Sequence, residues 1–186
     1  MDKGIEIYEA KAGEKVVILD DVRFKGKTRE EWDEIEELLK QYVGQHQEIL
    51  ETCDVIYIGK DFPDEFAHGE DKIKLMKSNA KAKANASSAV KQLIQIASNK
   101  SFKEDYEKKH GKHAQNGWYR YDTRLAIPIY DNYNEILRYN IYKLRMLVRH
   151  DADGKLYLYD FVHAKKEKET SSPLCLTRTV ENPFLR

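Results

Sequence analysis

Histidine and arginine side chains are concentrated in the segment HGKHAQNGWYRYDTR, residues 110–124. His110 and His113 lie three residues apart, and Arg120 and Arg124 follow them in a strand-like stretch. Histidine serves as general base or general acid near neutral pH because its unperturbed pKa is about 6.5. Arginine presents a planar set of donors that matches phosphate oxygens. These residue types are typical of a phosphate-handling site that has its own acid–base groups, although a charged helix end that meets a solvent-facing strand would show the same residues.

Charge is distributed unevenly, although the formal net charge of the chain is zero. Residues 1–71 contain 9 Lys and Arg against 20 Asp and Glu, a net charge of −11. Residues 72–124 contain 13 against 4, a net charge of +9, and residues 125–186 contain 10 against 8, a net charge of +2. A basic middle segment is typical of a protein that binds a polyanion such as RNA. The same distribution arises when acidic and basic segments pack together, so both interpretations stay open.

Composition limits the class of protein. A chain of 186 residues fits one domain, with or without an appended subdomain, and is long enough to bury a core without disulfides. Cys53 and Cys175 are far apart, which argues against a disulfide framework or a cysteine-based zinc site. No apolar stretch reaches the roughly 18–20 residues that span a bilayer, and the chain begins without the apolar core of a secretory signal. We therefore expect a cytoplasmic protein with no membrane partner.

An acidic loop raises the alternative of a metal site. Asp61, Asp64, Glu65, His68 and Asp71 are close in sequence, and hard cations prefer such oxygen ligands. Their spacing matches no known ligand pattern, and most acidic loops are simply solvated, so we expect no metal and no cofactor. The sequence also lacks a glycine-rich phosphate loop, a serine nucleophile elbow and a cysteine nucleophile pattern.

Short strands and an amphipathic helix are predicted for the first third of the chain. Thr28 and Glu31 match a capping box, in which the hydroxyl and the carboxylate satisfy each other's backbone donors. Apolar residues then recur at helical spacing, and Gly44 is the expected helix stop. The other predicted elements are strands at 5–8, 15–19 and 55–59, an irregular loop at 60–71 and a short helix at 101–112.

A second helical pattern covers residues 71–98 and is expected to break near residues 84–88. Lys74, Lys77 and Lys81 follow helical spacing and form a basic stripe on one face. Such a stripe either binds the substrate or is an ordinary solvated face, and the sequence does not separate the two.

The last third of the chain changes to the two-residue period of β-strands. Strand-like segments at 118–131, 136–150 and 154–166 are rich in Tyr, Ile, Leu and Val, and an Asp-Gly turn joins the last two. Residues 173–180 are a candidate closing strand. The predicted fold class is therefore α+β, with N-terminal helices packed on one face of a C-terminal antiparallel meander sheet of about four strands.

Alternation along these strands predicts one aliphatic face and one face that mixes cations with aromatic rings. Cations neutralise phosphates, and flat rings stack on bases at about 1–3 kcal/mol each, so this face is typical of RNA binding. Exposed aromatic rings also occur at protein interfaces, which keeps a protein-binding module as an alternative. The residues assigned to the mixed face are Trp118, Arg120, Asp122, Arg124, Lys143, Arg145, Arg149, Tyr157, Tyr159, Phe161 and His163.

Several strings resemble a known family of nuclease domains. The segments NGWYRYDTRLAIPIYD, RYNIYKLRMLVRHDADGKLYLYDFVHAKKEKETSSPL, DFPDEFAHGEDKIKLMKSNAKAKANA and KKHGKHAQNGW are similar to a domain at the end of large phage and mobile-element polyproteins. Those domains are grouped with the barnase, EndoU, colicin and RelE-type (BECR) ribonuclease fold, and the likeness covers about residues 55–174. The resemblance implies a fold in which helices pack on a four-stranded antiparallel sheet. It also implies metal-independent RNA cleavage that leaves a 2′,3′-cyclic phosphate.

The resemblance also implies the roles of individual residues. Its catalytic group is His110, His113, Tyr121 and Arg124. The substrate-binding set combines residues from the resemblance with the cations noted above: Lys74, Lys77, Lys81, Arg120, Arg145, Lys165, Thr170 and Ser171. Two departures from the family pattern leave an inactive descendant open: Ala67-His68-Gly69 replaces an expected Ser/Thr-rich segment, and the segment 163–174 is longer than usual.

These observations predict an acidic N-terminal subdomain, residues 1–54, and a BECR-like nuclease domain, residues 55–186. The leading function is a toxin-like, metal-independent endoribonuclease of phage or mobile-element origin that acts on RNA in the bacterial cytoplasm. A cognate inhibitor or a host defence protein is a further expected partner. The alternative is a catalytically inactive RNA- or protein-binding module, for example a phage inhibitor of host defence.

Overall fold

The computed structural model describes residues 4–10, 12–103, 116–170 and 176–178, the last of these by backbone alone. None of the helices in these ranges is long and apolar enough to cross a membrane. In chain order the elements are β1 (Ile5–Ala10), β2 (Lys15–Leu19), α1 (Arg29–Lys40), β3 (His46–Glu48), β4 (Val55–Ile58), α2 (Phe62–His68), α3 (Glu70–Lys74), α4 (Lys77–Ala86), a 3₁₀ turn (Ser87–Ala89), α5 (Val90–Gln95), β5 (Ser98–Lys103), β6 (Trp118–Tyr130), β7 (Ile136–His150), β8 (Leu156–Thr170) and β9 (Leu176–Arg178).

A single, strongly curled sheet contains all the strands of the described residues. Its order is β3-β4-β8-β7-β6-β2-β1-β9, and β5 pairs with β6 beside this path. The pairs β2–β6 and β4–β8 are parallel, whereas the remaining pairs are antiparallel. The sheet is therefore mixed.

The predicted fold class is wrong, because the sheet is neither four-stranded nor purely antiparallel. Short strands from the first sixty residues extend it on both sides of β6–β8, and helices lie between strands in sequence. The physical reason is clearest in β2, where Val16, Val17, Ile18 and Leu19 are all buried. A strand that is apolar on both faces needs cover on both faces: Val17 and Leu19 pack in the main core, and Val16 and Ile18 pack in a second apolar cluster on the other face. Strands from both sides of residue 54 thus share one sheet, and the two-domain division stays a prediction.

Three strands of the predicted meander are present within this larger mixed sheet. The strand-like segments at 118–131, 136–150 and 154–166 form β6, β7 and β8, which pair in succession. Gly154 has a φ of +78° in the turn between β7 and β8, a conformation that glycine adopts without steric cost. The segment 173–180, predicted to close the meander, instead contributes β9, which pairs with β1.

Register shifts in β8 alter the faces that strict alternation predicts. Leu158 lies opposite Val148 and Phe161 lies opposite Met146, so β8 contains one extra residue between these two pairs. The extra residue turns Phe161 into the main core, where it is fully buried, and corrects its predicted place on the mixed face. Val162 takes the mixed face in its place, opposite Arg145.

Helix α1 begins as predicted. The Thr28 hydroxyl accepts a hydrogen bond from the Glu31 backbone N–H at 3.2 Å, and the Glu31 carboxylate accepts one from the Thr28 N–H at 3.3 Å. The helix ends at Lys40, before the expected stop at Gly44. Its buried side is formed by Trp32, Ile35 and Leu39. The strands predicted at 5–8, 15–19 and 55–59 are likewise confirmed as β1, β2 and β4.

The irregular loop predicted at 60–71 is wrong, because most of it forms α2. Pro63 lies in the first turn of this helix, where a missing backbone N–H costs nothing. The aromatic rings of Phe62 and Phe66 lie one helical turn apart and pack against Phe161 of β8, with ring centroids 6.3 and 6.4 Å away. This aromatic cluster holds α2 against the sheet.

The basic stripe predicted for one helix is divided between two helices. Lys74 ends α3, and the backbone at Leu75 and Met76 is extended before Lys77 begins α4 with a φ of +52°. Lys74 is therefore not aligned with Lys81 by helical periodicity. The break expected near residues 84–88 is confirmed as the 3₁₀ turn. The helix predicted at 101–112 is wrong at residues 101–103, which belong to β5, and its remainder lies outside the described residues.

Candidate functional site

Strands β6, β7 and β8 place cations side by side on the sheet face that points away from the main core. Arg124 lies opposite Lys143 in the register, and Lys143 lies opposite Lys165. Arg145 is two residues from Lys143 and shares its face. Like charges on neighbouring strands destabilise a sheet unless other charges balance them. This row therefore needs negative charge, either from the protein or from a ligand.

Two carboxylates on the same face supply part of that charge. Asp122 Oδ2 lies 3.0 Å from Lys143 Nζ, and Asp122 Oδ1 lies 4.0 Å from Arg145 Nε. Glu167 accepts hydrogen bonds from Arg124 Nε at 2.8 Å and from Arg124 Nη2 at 3.2 Å. The hydrogen bonds between Glu167 and Arg124 lower the pKa of the carboxyl and raise the pKa of the guanidinium. Arg124 is thus already neutralised within the protein.

A cavity of about 500 Å³ opens beside this row, and we call it the basic cavity. Its titratable lining consists of Asp122, Lys143, Arg145, His163, Lys165, Lys166 and Glu167. Four of these side chains are cations and two are carboxylates, so the cavity carries a positive excess before His163 is counted. A volume of this size lies within the range of about 300–1,000 Å³ that is usual for ligand sites. An anion is the ligand class that this lining favours.

Arg120 adds an unpaired donor to the same face of β6. Its side chain precedes Asp122 by two residues, and its Nε is buried without a hydrogen-bond partner among the described residues. A buried donor that lacks an acceptor costs about 1–3 kcal/mol.

A second cavity of about 750 Å³ adjoins the basic cavity, and His163 lies in the wall of both. We call it the acidic cavity, because its titratable lining includes Glu65, Glu70, Asp71 and Asp160. It is formed where the segment α2–α3 passes the edge of β8 beyond the short strand β4. The opposite charges of the two cavities meet at one histidine.

A buried lysine bridges two aspartates of the acidic cavity. Lys83 of α4 is fully buried, and its Nζ lies 3.0 Å from Asp71 Oδ2 and 2.9 Å from Asp160 Oδ2. Its ammonium also lies 5.0 Å from the centroid of the Phe66 ring. Burial raises the pKa of the Asp160 carboxyl to about 7, while the charge of Lys83 opposes that rise. Buried carboxyls with strongly shifted pKa values cluster at functional sites. Neither Lys83 nor Asp160 is among the site residues predicted from the sequence.

Two of the four predicted catalytic residues lie on opposite faces of β6. Tyr121 is 1% exposed on the core face, and its hydroxyl donates a hydrogen bond to Asp54 Oδ2 at 2.8 Å. Burial, together with this hydrogen bond, raises the pKa of the Tyr121 hydroxyl. Arg124 lies on the other face with Glu167. The structure does not bring Tyr121 and Arg124 together, and their catalytic roles stay predictions.

The remaining predicted residues are placed as follows. His110, His113 and Ser171 lie outside the described residues. Arg145 and Lys165 line the basic cavity, and Lys74 lines the acidic cavity. Lys77 and Lys81 lie on α4 and line neither cavity, while Thr170 ends β8 opposite Tyr139.

The acidic loop 60–71 does not converge into one cluster. Asp61 pairs with Arg149 of β7, whereas Asp71 pairs with Lys83. His68 instead joins two residues of α1: its Nε2 lies 3.3 Å from Asp33 Oδ1 and 3.1 Å from Glu36 Oε2. Within the described residues, these three side chains are the group whose ligand atoms are close enough to share a metal ion.

No family model, curated protein or solved structure matches the chain. The resemblance to BECR nuclease domains therefore rests on the sequence strings alone. The chemistry of the two cavities is the remaining guide to function.

Proposed function

We propose that this protein binds RNA through the basic cavity. The observation that carries the proposal is the convergence of Lys143, Arg145 and Lys165 from two adjacent strands around a cavity of about 500 Å³. Phosphodiester anions would balance the like charges that the sheet register brings together. Arg120 lies two residues from Asp122 on the same face of β6 and adds a further positive charge to that face.

RNA is favoured over other polyanions by two features. Aromatic side chains flank the cations on the same sheet face: the rings of Trp118 and Tyr159 pack edge to face, with centroids 5.0 Å apart. Rings beside cations are the combination that single-stranded nucleic acid uses for stacking and phosphate contacts. The resemblance of the strings at 55–174 to phage ribonuclease domains points to RNA as well. We place this activity in the bacterial cytoplasm, where a phage or mobile-element product would meet RNA.

Binding is tested by removing two cations of the basic cavity. The double variant Arg145→Gln/Lys165→Gln should bind a single-stranded RNA oligonucleotide at least ~10-fold more weakly than the parent. The slope of log affinity against log salt should also fall by about 1.4, since each lost contact to single strands removes about 0.7. Fluorescence anisotropy across a salt series measures both quantities.

The matched control is Lys25→Gln/Lys60→Gln, which removes the same charge from exposed positions that line neither cavity. If the control weakens binding as much as the cavity variant, the interaction is general electrostatics and the site is refuted. Binding that does not change with salt would instead favour the protein-binding alternative.

A metal-independent endoribonuclease is the second candidate function. The imidazole of His163 in the wall of the basic cavity favours it, because histidine is suited to take the 2′-hydroxyl proton. His110 and His113 are the acid–base residues that the resemblance implies. Tyr121 and Arg124, engaged by Asp54 and Glu167, favour the binding-only alternative, such as a phage inhibitor of host defence.

Cleavage is tested with total RNA in excess EDTA. We expect the parent protein to degrade RNA to fragments with cyclic-phosphate ends, and His113→Ala to slow this by about 10²–10⁴-fold. His46→Ala, at an exposed position on β3, serves as the control and should cleave normally. If the parent protein binds the RNA but leaves it intact, the nuclease function is refuted and the RNA-binding proposal is retained.

A further inference from the structure

His163 occupies an unusual backbone position at the junction of the two cavities. Lys143 lies opposite Lys165 and Arg145 lies opposite Val162, so His163 and its neighbour share a bulge opposite one residue of β7. The φ of His163 is +56°, which few residues other than glycine adopt. Its side chain is 73% exposed. Bulges and left-handed residues are enriched beside active sites, because they aim a side chain that regular strand geometry would not.

Asp71 fixes His163 in this position from the acidic cavity. Its Oδ1 accepts a hydrogen bond from the His163 backbone N–H at 2.9 Å and lies 3.7 Å from the His163 Nδ1. Its Oδ2 lies 3.0 Å from the buried ammonium of Lys83. Lys83 is held in turn by Asp160, at 2.9 Å. The carboxylate beside the imidazole is therefore itself anchored by a buried charge, and its second oxygen remains with His163.

We propose that His163 is the general base of RNA cleavage and that Asp71 is its positioning residue, an inference that rests on the second candidate function, the endoribonuclease. The Asp71 carboxylate lies on the Nδ1 side of the ring, so we assign the accepting role to Nε2. Nε2 takes the proton of a 2′-hydroxyl, and the 2′-oxygen forms its bond to phosphorus. The bond from phosphorus to the 5′-oxygen breaks, and that oxygen leaves with a proton from solvent water. The hydroxide that remains takes the proton from Nε2, which restores the neutral imidazole. Lys143, Arg145 and Lys165 neutralise the charge on the phosphorane.

The test uses His163→Gly, because glycine accepts the positive φ and leaves space for added imidazole. In EDTA, this variant should cleave RNA about 10²–10⁴-fold more slowly than the parent. Its RNA affinity should change less than ~3-fold, and millimolar imidazole should restore part of the cleavage rate. His163→Asn also tolerates a positive φ but fills the space, so imidazole should not rescue it. Asp71→Asn should lower kcat and leave KM unchanged.

The outcomes separate this inference from the proposed function. A parent protein that binds RNA without cleaving it would overturn the base assignment and leave RNA binding intact. Cleavage by His163→Gly at the parental rate would also overturn it, and would assign the reaction to other residues such as His113. If His163→Gly cleaves slowly and added imidazole does not restore the rate, His163 has a structural role and is not the base. A parent protein that neither binds nor cleaves would remove the proposed function as well.

Discussion

Replacing Lys83 with methionine is expected to lower the free energy of unfolding by about 3–5 kcal/mol near pH 8. The ammonium of Lys83 is fully buried between Asp71 and Asp160. Methionine preserves most of the packing of the lysine stem but leaves two carboxylates without their counter-charge. Urea unfolding of the parent and the variant measures the difference.

The loss should be smaller near pH 5.5. Burial raises the pKa of Asp160 from 3.8 to about 7, so between those values the native state holds a proton that the unfolded chain releases. The stability gained from this proton is present at low pH and is lost as the pH rises past about 7. Without Lys83, the Asp160 carboxyl is neutral near pH 5.5 and the buried negative charge is smaller. If Lys83→Met lost the same unfolding free energy at both pH values, the raised pKa of Asp160 would be contradicted.

Two further variants isolate the buried charge. Lys81→Met removes a lysine from the same helix, at a position that lines neither cavity, and should change stability by no more than about 0.5 kcal/mol. Asp160→Asn combined with Lys83→Met should recover part of the lost stability near pH 8. If the double variant is no more stable than Lys83→Met, the stability is lost because methionine disrupts packing, and not because a buried charge is left unpaired.

Elements with a local physical cause could be predicted from the sequence. The capping box at Thr28 and Glu31 needs only residues three apart, and it begins α1 as expected. The two-residue period of β6, β7 and β8 reflects one buried face, and an Asp-Gly turn connects neighbouring strands. Local patterns of this kind do not depend on which other segment lies alongside.

Strand order could not be predicted in the same way, because the strand that pairs with a short strand comes from a distant part of the sequence. The residues KVVIL of β2 nevertheless carried a signal: an unbroken apolar run is typical of a strand buried on both faces. This apolar run argues against a position for β2 at the edge of the sheet. Similarly, proline breaks a helix interior, but Pro63 lies in the first turn of α2, where proline is tolerated.

The candidate site was predicted in part. Alternation places Arg145 on the mixed face of β7, and the resemblance names Lys165. The pairing of Lys83 with Asp160 joins residues 77 positions apart and leaves no local pattern. One indication was present: Lys83 lies in the run AKAKANA, residues 80–86, where a small, apolar helix surface predicts close packing. The bulge at His163 likewise depends on the register with β7.

Replacing Phe161 with alanine is the second change with a large expected effect, a loss of about 3–5 kcal/mol in the free energy of unfolding. Phe161 is fully buried, and its ring meets those of Phe62 and Phe66 edge on. These contacts attach α2 to β8 next to the acidic cavity, and the ring of Phe66 also faces the ammonium of Lys83. The truncation therefore leaves a cavity in the place where the helical wall of the site meets the sheet.

Hydrogen exchange distinguishes local loosening from a uniform loss of stability. In Phe161→Ala, the amides of α2 should exchange faster relative to those of β6 and β7 than they do in the parent, because the lost contacts join α2 to the sheet. Phe161→Leu keeps an apolar side chain of similar size, so its free energy of unfolding should fall much less than that of Phe161→Ala. Tyr133→Ala, at a turn position that is 87% exposed, should change the free energy of unfolding by no more than about 0.5 kcal/mol. If α2 and the sheet exchange in the same ratio as before, the aromatic cluster is not what fixes the wall of the acidic cavity, and the position of Asp71 beside His163 must depend on Lys83 instead.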